Sequence, residues 1–473
     1  MLRVLARPLV HVVERWMPDS LVFAIGLTFI VAGMALGLTD AGAVEILRGW
    51  GDGLAGLLSF IAQIAIVLVL GYTLAHVGPV KRILTGIASF PRSSAVSYGF
   101  VTVVAGVASL ISWGLGLIVA GIMAREVARA GRRRGLSIHY PLLVAAGYSG
   151  FVVWHMGYSG SGPLAAATPG SFFEDLGPLV PVSKTIFAWW NLAAIAVTLT
   201  AVTAAMVMLA PRSGDRIIEL EEEPVRDAGN GVPGAPRREF PKAREERSIR
   251  EATDRGAPGH EEGRTPADRA ETSRLLTFLL GLALVAYLAA YFADEGFDLT
   301  LDIVNWSFLT AILLLVRSPR ELVGLIGEAG RTVGQILLQY PLYAGIIGMM
   351  TTTGLVKELS DFFVGISSPG TLGFWGLISG GIINMFIPSG GGQFAVQAPI
   401  FMESARQLGV EAAPVIMAIA YGDQWTNMIQ PFWTIPLLSV AGLRVRDIMG
   451  YTTITLLVSG LVFAVTLLLV GAG

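Results

Sequence analysis

The chain has 473 residues, 53% of them hydrophobic and only 14% charged, with a mean hydropathy of +0.64 and a formal net charge of −2. That balance excludes an ordinary soluble domain and describes a polytopic, all-α membrane protein, while basic residues spaced between apolar runs give no nucleic-acid partner a patch to bind. With no cysteine, disulfides and thiolate sites are excluded, and His11, His76, His139, His155 and His260 are too scattered for metal-ligand spacing.

Residues 1–19 are basic and amphipathic ahead of an apolar run. Because many spans follow, this run reads as a retained span with its leading segment on the cytoplasmic surface, and not as a signal peptide. Residues 20–38 and 55–77 are long enough to cross hydrocarbon at about 1.5 Å per residue, with a short amphipathic connector between them. Arg3, Arg7 and Arg15 before them, and Lys81, Arg82 and Arg92 after them, place the N-terminus in the cytoplasm. Residues 94–124 carry no Lys or Arg and run to a basic block, Arg125 to Arg134. Inside to inside, with a kink at Ser112 to Gly116, predicts a hairpin over 94–130 entering from the cytoplasm, two short full spans being the alternative. From Tyr140 a span broken by Gly157, Gly160, Gly162 and Pro163 leads outward to Glu174 and Asp175, and residues 185–210 return. Residues 211–272 read as a charged, disordered cytoplasmic linker. Spans then follow over 275–292, 303–316 and 336–355, a second hairpin over 369–408, a second broken span over 413–443, and an exit over 448–472 that puts the C-terminus in the periplasm. The domains are thus 1–210, the linker, and 273–473.

Sliding the chain on itself so that Gly51 meets Gly327, an offset of 276 (327 minus 51), also pairs Glu45 with Glu321, Gln63 with Gln339, Lys81 with Lys357, Gly114 with Gly390 and Gly116 with Gly392. This is an internal repeat. The additional span at 275–292 shifts the second copy by one crossing, so the repeats are inverted, the design of alternating-access transporters with substrate and coupling ion at the repeat interface. The second tip, Asn384 to Pro399, contains Gly390, Gly391 and Gly392. Irregular backbone at membrane depth survives only inside protein or along a water-filled cavity, and a glycine tip lets backbone N–H groups approach an anion.

Neither hairpin core nor either broken span contains Lys or Arg. A dicarboxylate would want two strong positive partners, whereas one carboxylate can be met by backbone N–H groups and hydroxyls, so a small monocarboxylate is expected. The candidate substrate-binding residues are Ser112, Trp113, Gly114 and Gly116 at the first tip; Ser159 and Ser161 in the first broken span; Asn384, Ser389, Gly390, Gly391, Gly392 and Gln393 at the second tip; and Gln424, Trp425 and Asn427 in the second broken span. Trp113, Trp154 and Trp425 are either walls for an apolar tail or packing residues. Asp423, the one carboxylate between Glu411 and Asp447, is the ion-coupling candidate, since an aspartate at the bilayer centre costs ~2.5–3.5 kcal/mol on insertion scales. The coupling ion is H+ or Na+, a Na+ being expected near Asn384, Ser389 and Asp423; no other cofactor is expected. His155 is equally an interhelical donor or a proton relay. GYSG at 147–150 and 157–160 offers an intramembrane serine protease as a rival, a channel is another, and transport of a different small organic anion is a third.

The stretches ERWMPDSLVFAIGLT, WGDGLAGLLSF, SWGLGLIVAGIMAREVA, YSGSGPLAAATPG, IPSGGGQFAVQAP and AIAYGDQWTNMIQPFW, with the ending AGLRVRDIMGY, closely resemble the AtoE-type short-chain fatty acid transporter family. The resemblance covers nearly all of the chain except 211–272. It implies an ion-transporter-superfamily scaffold with two opposed hairpins, elevator-like movement and a homodimer in the bilayer. It also implies uptake of a short-chain fatty acid such as acetoacetate or butyrate across the bacterial inner membrane.

Overall fold

The computed structural model describes residues 20–212, 214–220, 265–331, 333–385 and 387–471, and its regular elements there are all helices. The N-terminal amphipathic stretch and the centre of the linker, 221–264, lie outside the described residues. The first half comprises α1 (Ser20–Leu38), α2 (Ala43–Gly53), α3 (Leu58–His76), α4 (Gly78–Ile87), α5 (Ser94–Ile111), α6 (Trp113–Arg133), α7 (Tyr140–Gly150), α8 (Ser161–Ala167) and α9 (Trp189–Met208). The second comprises α10 (Pro266–Glu271), α11 (Arg274–Asp294), α12 (Leu301–Leu315), α13 (Pro319–Gly330), α14 (Gly334–Thr352), α15 (Leu355–Ile366), α16 (Leu372–Asn384), α17 (Gly390–Leu408), α18 (Ala412–Thr426), α19 (Pro431–Ala441) and α20 (Val445–Gly471).

Among the described residues α3, α5, α9, α11 and α20 are long and apolar enough to cross a membrane. Their outward faces show large apolar side chains such as Leu275, Leu461 and Leu469, as a lipid-facing surface requires. The offset found in the sequence carries Leu58–His76 onto Gly334–Thr352, and Trp113–Arg133 to within one residue at each end of Gly390–Leu408. The break after α7, a 3-10 segment at Phe151–Met156, has its counterpart after α18 at Asn427–Ile429, where Pro431 starts α19.

The halves interlock. Helix α2 lies on α14 so closely that a Cβ on Gly53 would stand 2.8 Å from the Ala344 carbonyl oxygen, and one on Gly348 2.3 Å from that of Gly49. Such small-residue seams let helices approach backbone to backbone.

The last helix fixes the sense of the two hairpins. Near its start the Tyr451 hydroxyl is 3.1 Å from His139 Nε2, and beside His139 the open end of the α5–α6 hairpin is tied by the Ser94 hydroxyl to the Ser137 carbonyl at 2.7 Å. At its far end Gly471 touches Gly370, where the α16–α17 hairpin begins. The hairpins therefore open at opposite ends and point their tips at each other.

Both ends of the 211–272 segment carry structure. Ile218 donates its N–H to His139 Nδ1 at 3.1 Å and accepts from Tyr140 N–H at 2.7 Å. At the other end Thr265 and Asp268 form a capping box ahead of α10, with Pro266 in its first turn, and Arg320 reaches both Asp268 and Glu271. The T-x-x-D signature was present in a stretch whose composition alone reads as disorder.

Candidate functional site

The second tip is built by chain that leaves α16, turns tightly as Ser389 N–H donates back to the Ile387 carbonyl at 2.7 Å across Pro388, and re-enters helix at Gly390 with Ser389 extended. Tyr340 of α14 holds it, its hydroxyl 2.7 Å from Ser389 Oγ. Three glycines are needed because the tip is pressed from three sides. A Cβ on Gly390 would lie 2.3 Å from Trp154 Cη2, one on Gly391 2.9 Å from Phe60 Cζ, and one on Gly392 2.7 Å from Tyr343 Cδ2.

The first tip turns at Ser112. Trp113 donates its N–H to Ser159 Oγ at 3.1 Å, and Tyr158 donates to the Leu110 carbonyl at 2.7 Å. The Ser112 hydroxyl is buried without a hydrogen-bond partner among the described residues. Gly114 has room for a Cβ, with Tyr72 N at 3.6 Å, whereas Gly116 is packed on Ser109. Both tips thus dock on one segment, the break between α7 and α8.

That break carries His155 against the second broken span. His155 Nδ1 is 2.7 Å from Asp423 Oδ2, both side chains fully buried, and its backbone N–H donates to Gln424 Oε1 at 2.9 Å. Gly162 donates its N–H to Nε2 at 3.0 Å. A ring nitrogen that accepts carries no proton, so this pattern assigns the proton to Nδ1, which donates to the carboxylate. Asp423 Oδ1 is buried and has no hydrogen-bond partner among the described residues. Trp154 stacks on the imidazole at 4.2 Å.

Asn384 caps the other side of the break in α18, its Nδ2 within 2.6–2.9 Å of the Asp423 carbonyl, Thr426 Oγ1 and Asn427 Oδ1, while Gln430 donates to the Asn384 carbonyl. The Asn427 carbonyl accepts from Tyr148 at 2.6 Å. Gln393 joins the arms of the second hairpin, donating to the Gly380 carbonyl at 2.9 Å.

The tips, Ser159, Ser161, Asn384, Asp423, Gln424 and Asn427 are thus brought together around the two breaks. Trp425 is not: its indole donates to Leu456 of α20 at 2.7 Å and lies against Gly381 and Gly460. Its place in the aromatic cluster is taken by Trp433, with centroids 5.6 Å from Trp113 and 5.9 Å from Trp154. Sequence reasoning missed Trp433, although it too lies in the second broken span. Of the three side chains expected around a Na+, Ser389 bonds Tyr340, Asn384 Nδ2 donates to the Asp423 carbonyl and Asp423 Oδ2 bonds His155, while Asn384 Oδ1 and Asp423 Oδ1 are buried with no partner among the described residues. Neither GYSG serine is bonded to an imidazole: Ser159 accepts from Trp113 and Ser149 bonds Thr455 at 2.7 Å.

Over residues 1–470 the chain matches the family of short chain fatty acid transporters. It belongs to that family. A protein of Escherichia coli (strain K12) provisionally named a short-chain fatty acid transporter is 37% identical over 465 residues, covering 98% of this chain and 99% of its own. A protein of Haemophilus influenzae with the same name is 35% identical over 465 residues, covering 96% of this chain and 97% of its own. Among solved structures the transporter is similar to Neisseria gonorrhoeae MtrF, described with a class of antimetabolite efflux pumps, at a TM-score of 0.58 and 17% identity over 98% of this chain and 97% of the other. It is also similar to the Alcanivorax borkumensis YdaH transporter, reported to have an unusual topology, at 0.55 and 16% over 96% and 99%. At those identities the likeness is one of fold. Family and relatives make the protein a membrane transporter, not an enzyme.

Proposed function

We propose that the transporter takes up small monocarboxylates such as acetoacetate or butyrate across the bacterial inner membrane by alternating access, coupled to a cation through Asp423. The observation that carries this is the meeting of two opposed glycine-bearing tips on one broken span, in surroundings without Lys or Arg. Backbone N–H groups and hydroxyls there suit a single carboxylate. An ionised aspartate close to that carboxylate repels it unless a cation sits between them, which links the two movements. The hairpins and broken spans would move as a unit against the group containing α1 to α3 and α11 to α14, in a homodimer, with the N-terminus in the cytoplasm and the C-terminus in the periplasm.

Protonated short-chain acids cross bilayers unaided, so net uptake is a poor test. Exchange is a better one: proteoliposomes loaded with unlabelled butyrate should take up labelled butyrate at a saturable, trans-stimulated rate absent from protein-free vesicles, and succinate should not compete. Unsaturable flux without trans-stimulation would make the protein a channel.

A further inference from the structure

We infer that the coupling ion is a proton, carried on Asp423 Oδ1, and that His155 is the positioning residue that makes this carboxyl a proton site. The inference rests on the symport reading above and specifies its ion.

The two carboxylate oxygens are not equivalent. Oδ2 is held by the imidazole N–H at 2.7 Å, while Oδ1 is buried with no partner among the described residues. A metal cation approaching Oδ2 would meet the positive end of that N–H. Nor can the ring take the proton in this arrangement, since an Nε2–H would be pointed at the Gly162 N–H 3.0 Å away. The backbone thereby fixes the ring as a neutral donor, and the free oxygen is the atom left to be protonated. The step balances simply: water on one side delivers H+ to Oδ1, a carboxylate becomes a carboxylic acid, the Nδ1–H donor to Oδ2 stays in place, and the proton leaves from the same oxygen on the other side.

Among the described residues the other ionisable groups near the carboxylate are turned elsewhere, Tyr158 in the same break lying against Phe308. From α14, Tyr340 is committed to Ser389, and Tyr343 lies 3.4 Å from Gln339 Oε1. From α7, Tyr148 donates to the Asn427 carbonyl, and on α18 itself Tyr421 donates to Asn191 at 2.7 Å. Residues 372–402, which include both arms at the second tip, and residues 161–167 contain no Asp, Glu, His, Lys, Arg or Tyr. The ionisable groups of α20, Arg446, Asp447 and Tyr451, sit in its first turns, at the end marked by His139.

The same ring touches the substrate tip. Its Cε1 edge stands 3.0 Å from where a Gly390 Cβ would be. An Oδ1–H can also donate to a substrate carboxylate, so binding of anion and proton become mutually favourable.

The test starts without substrate. Full-length protein in nanodiscs is moved between alkaline and acid buffer and read by infrared difference spectroscopy. A protonated-carboxyl band is expected that D423N lacks; in H155L its position moves, and H155N, whose amide N–H replaces Nδ1–H, restores it. A merely structural role for His155 would leave the band where it was. Calorimetry of butyrate binding in buffers of differing ionisation enthalpy then counts protons. About one should be taken up per butyrate, with affinity equal within ~2-fold in sodium and choline salts. Absence of any D423N-sensitive band, or sodium-dependent binding without proton uptake, overturns the inference. A band of the expected behaviour in a protein that binds no butyrate supports the proton site and sinks the monocarboxylate reading instead.

Discussion

Gly390 is one of the places where the second repeat touches the first. A methyl there would meet the Trp154 ring 2.3 Å away and the edge of His155 at 3.0 Å, whereas at Gly114, its counterpart in the first tip, the nearest atom is 3.6 Å away. Gly390→Ala should cut butyrate exchange at least ~10-fold, about 1.4 kcal/mol, with protein still inserted, and Gly114→Ala should remain near wild type; equal effects would show that the tips are not gripped as described. Tyr340→Phe removes the hydroxyl partner of Ser389, a loss of about 0.5–1.5 kcal/mol. It should loosen the second tip, read as faster hydrogen exchange at Gly390 to Gly392 and weaker butyrate binding. Asp423 was legible in the sequence because a lone carboxylate inside an apolar run has few explanations. Its partner was not. His155 lies 268 positions upstream, and which group an imidazole meets is decided by tertiary packing that no local pattern encodes. For the same reason Trp425 and Trp433, eight residues apart (433 minus 425) in one broken span, could not be told apart until the span was placed against α20.

The second hairpin is stitched along its length. Gln393 reaches the Gly380 carbonyl and Gln397, and Gln397 reaches Ser379 Oγ at 2.6 Å and the Gly376 carbonyl at 3.2 Å. A buried polar group that loses a partner costs about 1–3 kcal/mol, so Gln397→Leu, which takes one partner each from Gln393, Ser379 and Gly376, should lower the melting temperature of purified protein by several degrees; an unchanged melting temperature would mean the arms are held elsewhere. The element bounds were largely readable, since the repeat offset predicts one copy from the other. The reading of 94–130 as a hairpin was harder because α5 alone is 18 residues of apolar helix, enough to cross. Only the docking of its end on Tyr158 and Ser159 shows where it stops. At the edge of α10, the Asp268 carboxyl is held below the usual carboxylate range by the Thr265 hydroxyl and then by Arg320. A depressed value means the clasp is complete at neutral pH and is lost as pH falls through and below that range. Hydrogen exchange over 266–271 should accelerate only in strong acid, and Thr265→Ala should accelerate it at neutral pH.

For the molecule as a whole, the absence of native cysteine makes topology directly measurable. Ser137→Cys should be shielded from an impermeant thiol reagent added outside intact cells and Asp175→Cys labelled; the reverse pattern would invert the orientation. Charge counting left 94–130 as a hairpin or two short spans, and two opposed hairpins were what the family resemblance implies; the contacts of α20 at its two ends are the observation that bears on their sense. What charge counting could not supply is the interlock of α2 with α14, because glycines spaced along a helix mark a seam without saying which helix fills it.

That interlock bears on how the chain is made. The first half leaves the ribosome with Gly49 and Gly53 lacking the helix that covers them, and with His155 lacking an aspartate 268 residues further on. At about 5–20 residues per second, synthesis of the intervening chain takes roughly 15–50 s. Throughout that interval a half-built bundle sits in the bilayer with an imidazole and the α2 seam open to lipid and to neighbouring chains. Stalling or premature termination past residue 210 should therefore yield not a small folded transporter but a client for membrane quality control.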